Sequence, residues 1–561
     1  MEFSFEYPIL TVENMEGSYD FSLVLALSNK DPLFEKKKKL LKVKGFDPEI
    51  RVLFSSSENP LLALQVMVEA ARIIHLDETE LYFGGVETCL PYYSPRNELE
   101  SLNSILSLID TSLKNAAHNK VEVLCVLRDT IIDMIRAFGN RTDEETVIEK
   151  CTCHAEELLL QWGQNHGLQT KLQIAHVEGA GRGAVAVEDL KIGDTALDIP
   201  LSVIISEEFV YESDMFHVLK EIDGISTETM LLLWSMKERY NPDSKFKIYF
   251  ETLPETFNTG LNFGIDALTA LEGTLLFEEI IQAKEHLRTQ YDELCPALCS
   301  DHPDVFQEEL YTWERFLWAC ELWYSNSMKV IFTDGKLRTC LVPIAGLLNH
   351  SLFPHILHYG RVDSVRDSLK FSLSRPCAKG EQCYLSYGKL SSSHLITFYG
   401  FVPKGDNPYD IIPLDIDAPQ TDESGGCSDS DWTSHMVRGT WLSSNHEIFY
   451  YGLPPPLLHH LRTALNGEKL PMETYKDIEN ERAVLETLCS IFDPMMEGLG
   501  DSEHSERVNL SWDVKLALEY KELQRRIISS ILSSCSAGHE MLQCFESKDI
   551  RKPANHTDDE N

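Results

Sequence analysis

The chain has 561 residues, 43% hydrophobic and 25% charged, and its 50 Lys and Arg against 89 Asp and Glu leave a formal net charge of −39 at pH 7. Broad binding to a phosphate backbone needs clustered cations, so this charge argues against nucleic acid as a partner and fits a basic protein partner or simple solubility. The length exceeds what one hydrophobic core organises, so several domains are expected.

No apolar run approaches the roughly 20 residues of a membrane helix. The opening MEFSFEYPILTVENMEGSYD carries Glu2, Glu6, Glu13, Glu16 and Asp20, which argues against a secretory signal or a transit peptide and makes cytosol or nucleus the expectation. The 14 cysteines are scattered, and disulfides are not expected. Cys151-Thr152-Cys153-His154 comes nearest to a metal pattern but has no second pair at zinc-finger spacing, so no metal is expected.

In chain order, residues 1–148 read as a small helical domain. Asn59 is a good N-cap with Pro60 at the first helical position, and Leu64, Met67, Val68, Ala71 and Ile74 follow at helical spacing. Leu124, Leu127, Ile131 and Ile135 place a second helix on one apolar face. Lys36 to Lys39, with Lys42 and Lys44, form a basic run that reads as a solvated face or, less readily, a nuclear address.

A capping pattern at Thr142-Asp143-Glu144-Glu145 predicts a helical region that ends between Trp162 and Gly167. From Leu172 to Ile205 the pattern alternates and is punctuated by glycine, with a turn at Ile192 to Asp194. It turns helical from about 206 to 323, including an amphipathic Thr229 to Tyr240 and a long stretch from Leu271 to Tyr291, and strands resume after Val330. A helical block that splits two strand-rich segments is an insertion.

Residues 411–435, rich in Asp, Ser and Gly, read as an acidic loop. Beyond them, 436–545 read as a helical lobe, with Leu516, Leu518, Tyr520, Leu523, Ile527 and Ile531 available for burial, and 546–561 as a disordered tail.

Four pieces carry candidate chemistry. Gly181-Arg182-Gly183 permits a sharp turn and close approach to a ligand. Asn349-His350-Ser351 follows an apolar run and offers an amide able to donate and accept. Tyr387-Gly388 and Tyr399-Gly400-Phe401 supply a hydroxyl and aromatic walls. Taken singly, each also reads as a hairpin, a satisfied polar pair or core tyrosines.

In this order, together with YFETLPETFNTGLNF from Tyr249, LEGT from Leu271 and WAC from Trp318, the pieces resemble the SET-domain protein methyltransferases. Within them the chain is similar to the branch that includes the Rubisco large-subunit lysine methyltransferase and the actin-histidine methyltransferase. The resemblance covers about residues 155 to 550. It implies an α+β fold: a β-rich SET core over 149–410 with a helical insertion at about 206–323, flanked by the N-terminal helical domain and a C-terminal helical lobe that helps hold a protein substrate.

It also implies S-adenosylmethionine as cofactor, contacted by Ala180, Gly181, Arg182, Gly183, Asn326, Asn349, His350 and Tyr387. Tyr387 is the implied catalytic residue, and Tyr399 and Phe401 wall the acceptor nitrogen. Methyl transfer needs a neutral nucleophile near attack distance with water excluded. Deprotonating a lysine of pKa about 10.4 at pH 7 costs roughly 4–5 kcal/mol, and a nearby sulfonium and desolvation lower that cost.

Three positions depart from the family pattern. Asn326 stands where an Arg near the donor carboxylate is common, Gly346 where an acidic residue is usual, and Gly260 where a proline is usual. The leading expectation is a protein-lysine methyltransferase. A histidine acceptor, or a SET fold that serves as an interaction module, are the alternatives.

Overall fold

The computed structural model describes residues 20–55, 59–84, 93–116, 118–139, 145–151, 154–416, 432–442, 451–466, 478–500 and 510–549. At the N-terminus, Asn59 accepts from the Leu61 N–H and starts the helix Pro60–Ile74, whose Leu64, Met67, Val68 and Ala71 are buried. Helix His118–Gly139 contributes Leu124, Leu127, Ile131 and Ile135 to the same core.

This region is not helical throughout. Strands Asp20–Ala26 and Glu49–Ser55 pair antiparallel, with the Phe21 and Phe54 rings stacked 5.0 Å apart. The alternating burial of Glu49–Ser55 is a period-2 signal, distinct from the helical spacing of its neighbours. Nor is the lysine run simply a solvated face. Lys37 is buried on helix Phe34–Val43, where its ammonium meets Asp31 at 2.7 Å and the Ile74 carbonyl at 2.9 Å.

Where a helix was expected from Thr142, strand Ile148–Cys151 pairs with Leu172–Val177, and the helix begins only at His154 and ends at Asn165. The capping residues 142–144 lie outside the described residues, as do Thr152 and Cys153. The central region is a patchwork of short sheets. Ile148–Cys151, Leu172–Val177 and Gly181–Ala186 form one. Val362–Asp363, Ser368–Ser372, Thr195–Pro200 and Gln169–Thr170 form another, and Ser327–Ile331 pairs with Leu337–Leu341.

Between Pro200 and Ser327 the chain is helical, and most of these helices share one core with the sheets, while Ala267, Leu271, Leu276 and Ile280 pack with Leu516, Ala517 and Tyr520. Helix Thr227–Glu238, expected to be amphipathic, buries every residue from Met230 to Met236. It is enclosed on all sides rather than lying on a surface.

The ends of the segment read as an acidic loop are strands: Ile411–Leu414 pairs with His435–Arg438, while 417–431 lie outside the described residues. Helices Pro455–Asn466, Ile478–Gly498 and Trp512–Asp549 then build a separate core around Leu458, Leu485, Phe492 and Ile528. The last helix continues to Asp549, so the part of the expected tail from 546 to 549 is helical, and 550–561 lie outside the described residues.

The N-terminal unit touches both others. The Asn103 amide donates to the Ser374 carbonyl at 2.9 Å, the Tyr409 hydroxyl donates to Asp77 at 3.0 Å, and the Tyr82 hydroxyl meets His435 Nδ1 at 3.1 Å. Among the described residues no helix is long and apolar enough to cross a membrane.

Candidate active site

The sequence around Asn349 alternates between burial and hydrogen bonding because it is threaded beside a later part of the chain. Residues 349–350 and 356 flank Leu385: the Leu385 N–H donates to the Asn349 carbonyl at 2.8 Å, and the Ser386 N–H donates to Ile356 at 3.0 Å. The Cys383 N–H donates to the Ala184 carbonyl at 2.8 Å, which joins this bundle to strand Gly181–Ala186. Three stretches apart in sequence therefore meet at one place.

There the Asn349 amide nitrogen donates to the Arg182 carbonyl at 2.9 Å and to Gln382 Oε1 at 2.7 Å. Any side chain at Gly183 would collide with the Gln382 carboxamide, so the strand approaches this closely only with glycine. His350 Nδ1 accepts from the Tyr387 N–H at 3.1 Å, and burial lowers the ring's pKa to about 4. The imidazole is neutral at physiological pH.

Tyr387 donates its hydroxyl to the Leu348 carbonyl at 2.8 Å, and its ring stacks on His350 at 5.2 Å. Burial, reinforced by Tyr399 and Tyr359, pushes its pKa up, so the hydroxyl stays protonated and can orient a partner without acting as a base. Tyr399 and Phe401 close the wall, with ring centroids 5.1 and 6.4 Å from that of Tyr387. Between them Gly400, at φ 79°, ends helix Ser392–Tyr399 in the left-handed conformation.

These groups line one cavity of about 540 Å³, inside the range of about 300–1,000 Å³ typical of small-molecule sites. Ala180, Arg182, Asn326, Asn349, His350, Tyr387, Tyr399 and Phe401 all border it. Gly181 and Gly183 do not: the first is exposed, and the second sits behind Gln382. The Arg182 guanidinium is held by the Thr252 carbonyl and Glu156. Asn326 bonds to the Ser325 hydroxyl at 2.7 Å.

No family model matches the chain. A solved structure of Rubisco LSMT bound to sinefungin and monomethyllysine superposes with a TM-score of 0.52 at 20% identity, over 72% of this chain and 96% of that one. The fold is a SET domain.

By sequence, the chain is 26% identical over 350 residues to the Rubisco large-subunit N-methyltransferase of Pisum sativum, covering 60% of this chain and 69% of that protein. It is 25% identical over 274 residues to the fructose-bisphosphate aldolase-lysine N-methyltransferase of Arabidopsis thaliana, covering 47% and 55%. It is 23% identical over 277 residues to the actin-histidine N-methyltransferase of Gallus gallus, covering 47% and 45%. The chain thus spans about half the length of the latter two.

Sequence reasoning missed a buried acid in this SET domain. Glu321 lies on helix Trp313–Asn326, five residues before Asn326, and accepts from the Thr259 hydroxyl and from Asn262 Nδ2, the latter at 2.7 and 2.8 Å to its two oxygens. Burial raises its pKa to about 7 despite these donors and Lys284. The clamp holds the loop whose Phe257, Asn258 and Thr259 border the cavity. Gly260 in the same loop faces the Thr397 backbone, leaving little room for a side chain. A lone acid inside WACELWY was the available signal, since such a residue is buried only when partnered.

Proposed function

We propose that the chain is an S-adenosylmethionine-dependent protein methyltransferase whose acceptor is a lysine side chain of a protein, with Tyr387 as its catalytic residue. The observation that carries this reading is the convergence of Tyr387, Asn349-His350, Ala180 and Arg182 on one cavity. The donor set fits a nucleoside. Neutral amides at Asn349 and Gln382, a neutral imidazole and backbone groups can read an adenine edge without a charged partner.

When bound, S-adenosylmethionine supplies an electrophilic methyl group on a sulfonium. The chain's own residues do the rest. Tyr387 holds its proton and presents the hydroxyl beside the rings of Tyr399 and Phe401, which exclude water from the acceptor nitrogen. That exclusion favours the uncharged amine which the displacement requires. The aromatic walls also suit the apolar stem of a lysine and the cation before its proton leaves. On this reading Asn349 and His350 contact the donor, and Asn326 borders its amino-acid end.

One observation favours a second reading, an interaction module without turnover. Asn326 and Gly346 leave that end of the cavity without a cation from either residue. Calorimetric titration of the purified chain with S-adenosylmethionine tests both. Micromolar or tighter binding is expected, and labelled-donor transfer to lysine-containing or histidine-containing peptides then separates the acceptors. No binding at millimolar donor in a folded sample overturns the methyltransferase reading and leaves the module.

A further inference from the structure

Away from the cavity, three metal-ligating side chains converge in the core. His355, Cys377 and Cys383 are each fully buried, and their ligand atoms lie within 4.8 Å of one another. His355 comes from the segment that flanks Leu385, and the two cysteines lie on either side of the turn after strand Ser368–Ser372.

The surroundings of the imidazole are built. His355 Nε2 meets Glu381 Oε1 at 2.9 Å. Glu381 is anchored in turn by the Ala378 N–H at 2.8 Å and the buried Arg375 at 3.3 Å. The Glu381 carboxylate oxygen accepts from Nε2, which puts the ring proton there and leaves the lone pair on Nδ1. A carboxylate behind a histidine is the arrangement that orients metal-ligating imidazoles.

The thiols are weakly engaged by comparison. Cys377 reaches the carbonyls of Glu381 and Ala378, at 3.8 and 4.0 Å, the Cys383 thiol and the His355 ring. The Nδ1 lone pair accepts the Tyr384 N–H at 3.0 Å, the one strong contact an ion would replace.

We propose that His355, Cys377 and Cys383 form a binding site for a thiophilic divalent cation of the zinc class, with Glu381 as the carboxylate that orients the histidine. Two sulfurs and one imidazole are a soft set that selects zinc over magnesium or calcium, whose ligands are oxygens. Binding releases both thiol protons to solvent, so a dication and two thiolates leave the cluster neutral beside the Glu381–Arg375 pair. Three protein ligands leave one position of a tetrahedral ion for water. The ion ties the segment through Gln382 and Tyr384 to His355, behind the floor of the cavity. No step of methyl transfer depends on it, so the site stands whether or not the chain is an enzyme.

The test uses the full chain, produced with zinc supplied and purified without chelating resin. Elemental analysis is expected to find zinc equimolar with the protein. Exchange with cobalt(II) is expected to give the near-ultraviolet thiolate-to-metal band and the strong visible bands of tetrahedral coordination. Cys383→Ser should lose both signals, and Cys340→Ser, a buried cysteine outside the cluster, should keep them. Trace zinc and no cobalt band in folded wild-type protein overturn the proposal, and so does equal zinc in Cys383→Ser. If Cys383→Ser does not fold, the wild-type measurements decide by themselves.

Discussion

The side-chain oxygen of Asn326 lies 2.9 Å from the point where a Cβ on Gly346 would stand. Two of the positions that depart from the family pattern are therefore neighbours. The bare residue makes room for the amide, and this wall of the cavity carries no charge from either side chain. Asn326→Arg is expected to tighten S-adenosylmethionine binding about tenfold, as a charge-assisted contact to a carboxylate does. Calorimetry reads it, and an unchanged affinity would take Asn326 away from the donor's carboxylate.

Tyr387→Phe removes the hydroxyl that donates to the Leu348 carbonyl but keeps the ring between His350 and Tyr399. Its stability cost is expected to be about 1 kcal/mol. Methyl transfer is expected to fall at least about 100-fold, the scale of losing a positioned group at the reacting centre. Thermal unfolding and labelled-donor turnover on the same samples separate the two effects, and unimpaired turnover would remove Tyr387 from the chemistry.

At Gly400 a side chain meets two obstacles. The backbone sits at φ 79°, and a Cβ would overlap the Asn258 carbonyl. Gly400→Ala is expected to destabilise the fold by about 2 kcal/mol or more, because strain and collision add. The loop that carries Asn258 is also the one Glu321 clamps. A variant as stable as wild type in urea unfolding would show that the loop yields freely.

Glu321 links stability to pH. Its folded pKa of about 7 stands above the ordinary 4.5, so the native state keeps a proton that the unfolded chain has released. This group's contribution is fully present below about pH 4.5 and is lost as pH rises through about 7. Glu321→Gln is expected to flatten that dependence. The wild-type minus variant stability should fall by at most about 3 kcal/mol between about pH 5 and pH 8. Parallel slopes in urea unfolding would mean that Glu321 titrates as it does in the unfolded chain.

The sequence by itself determined the local elements and the identity of the chemical groups. Asn59 and Pro60 started a helix where capping chemistry requires one. Glycines with an ordered set of short motifs marked Asn349, His350, Tyr387 and Tyr399, because each motif is a contiguous run readable without distant context. Tertiary structure alone decided the rest. Glu321 meets Asn262 across 59 positions, Asn349 meets Arg182 across 167, and Gly346 makes room for Asn326. The cluster of His355 with Cys377 and Cys383 follows no zinc-finger spacing. Such pairings arise when separate strands and helices bury their apolar faces together, and the polar groups carried inside must then find partners wherever the packing brings them.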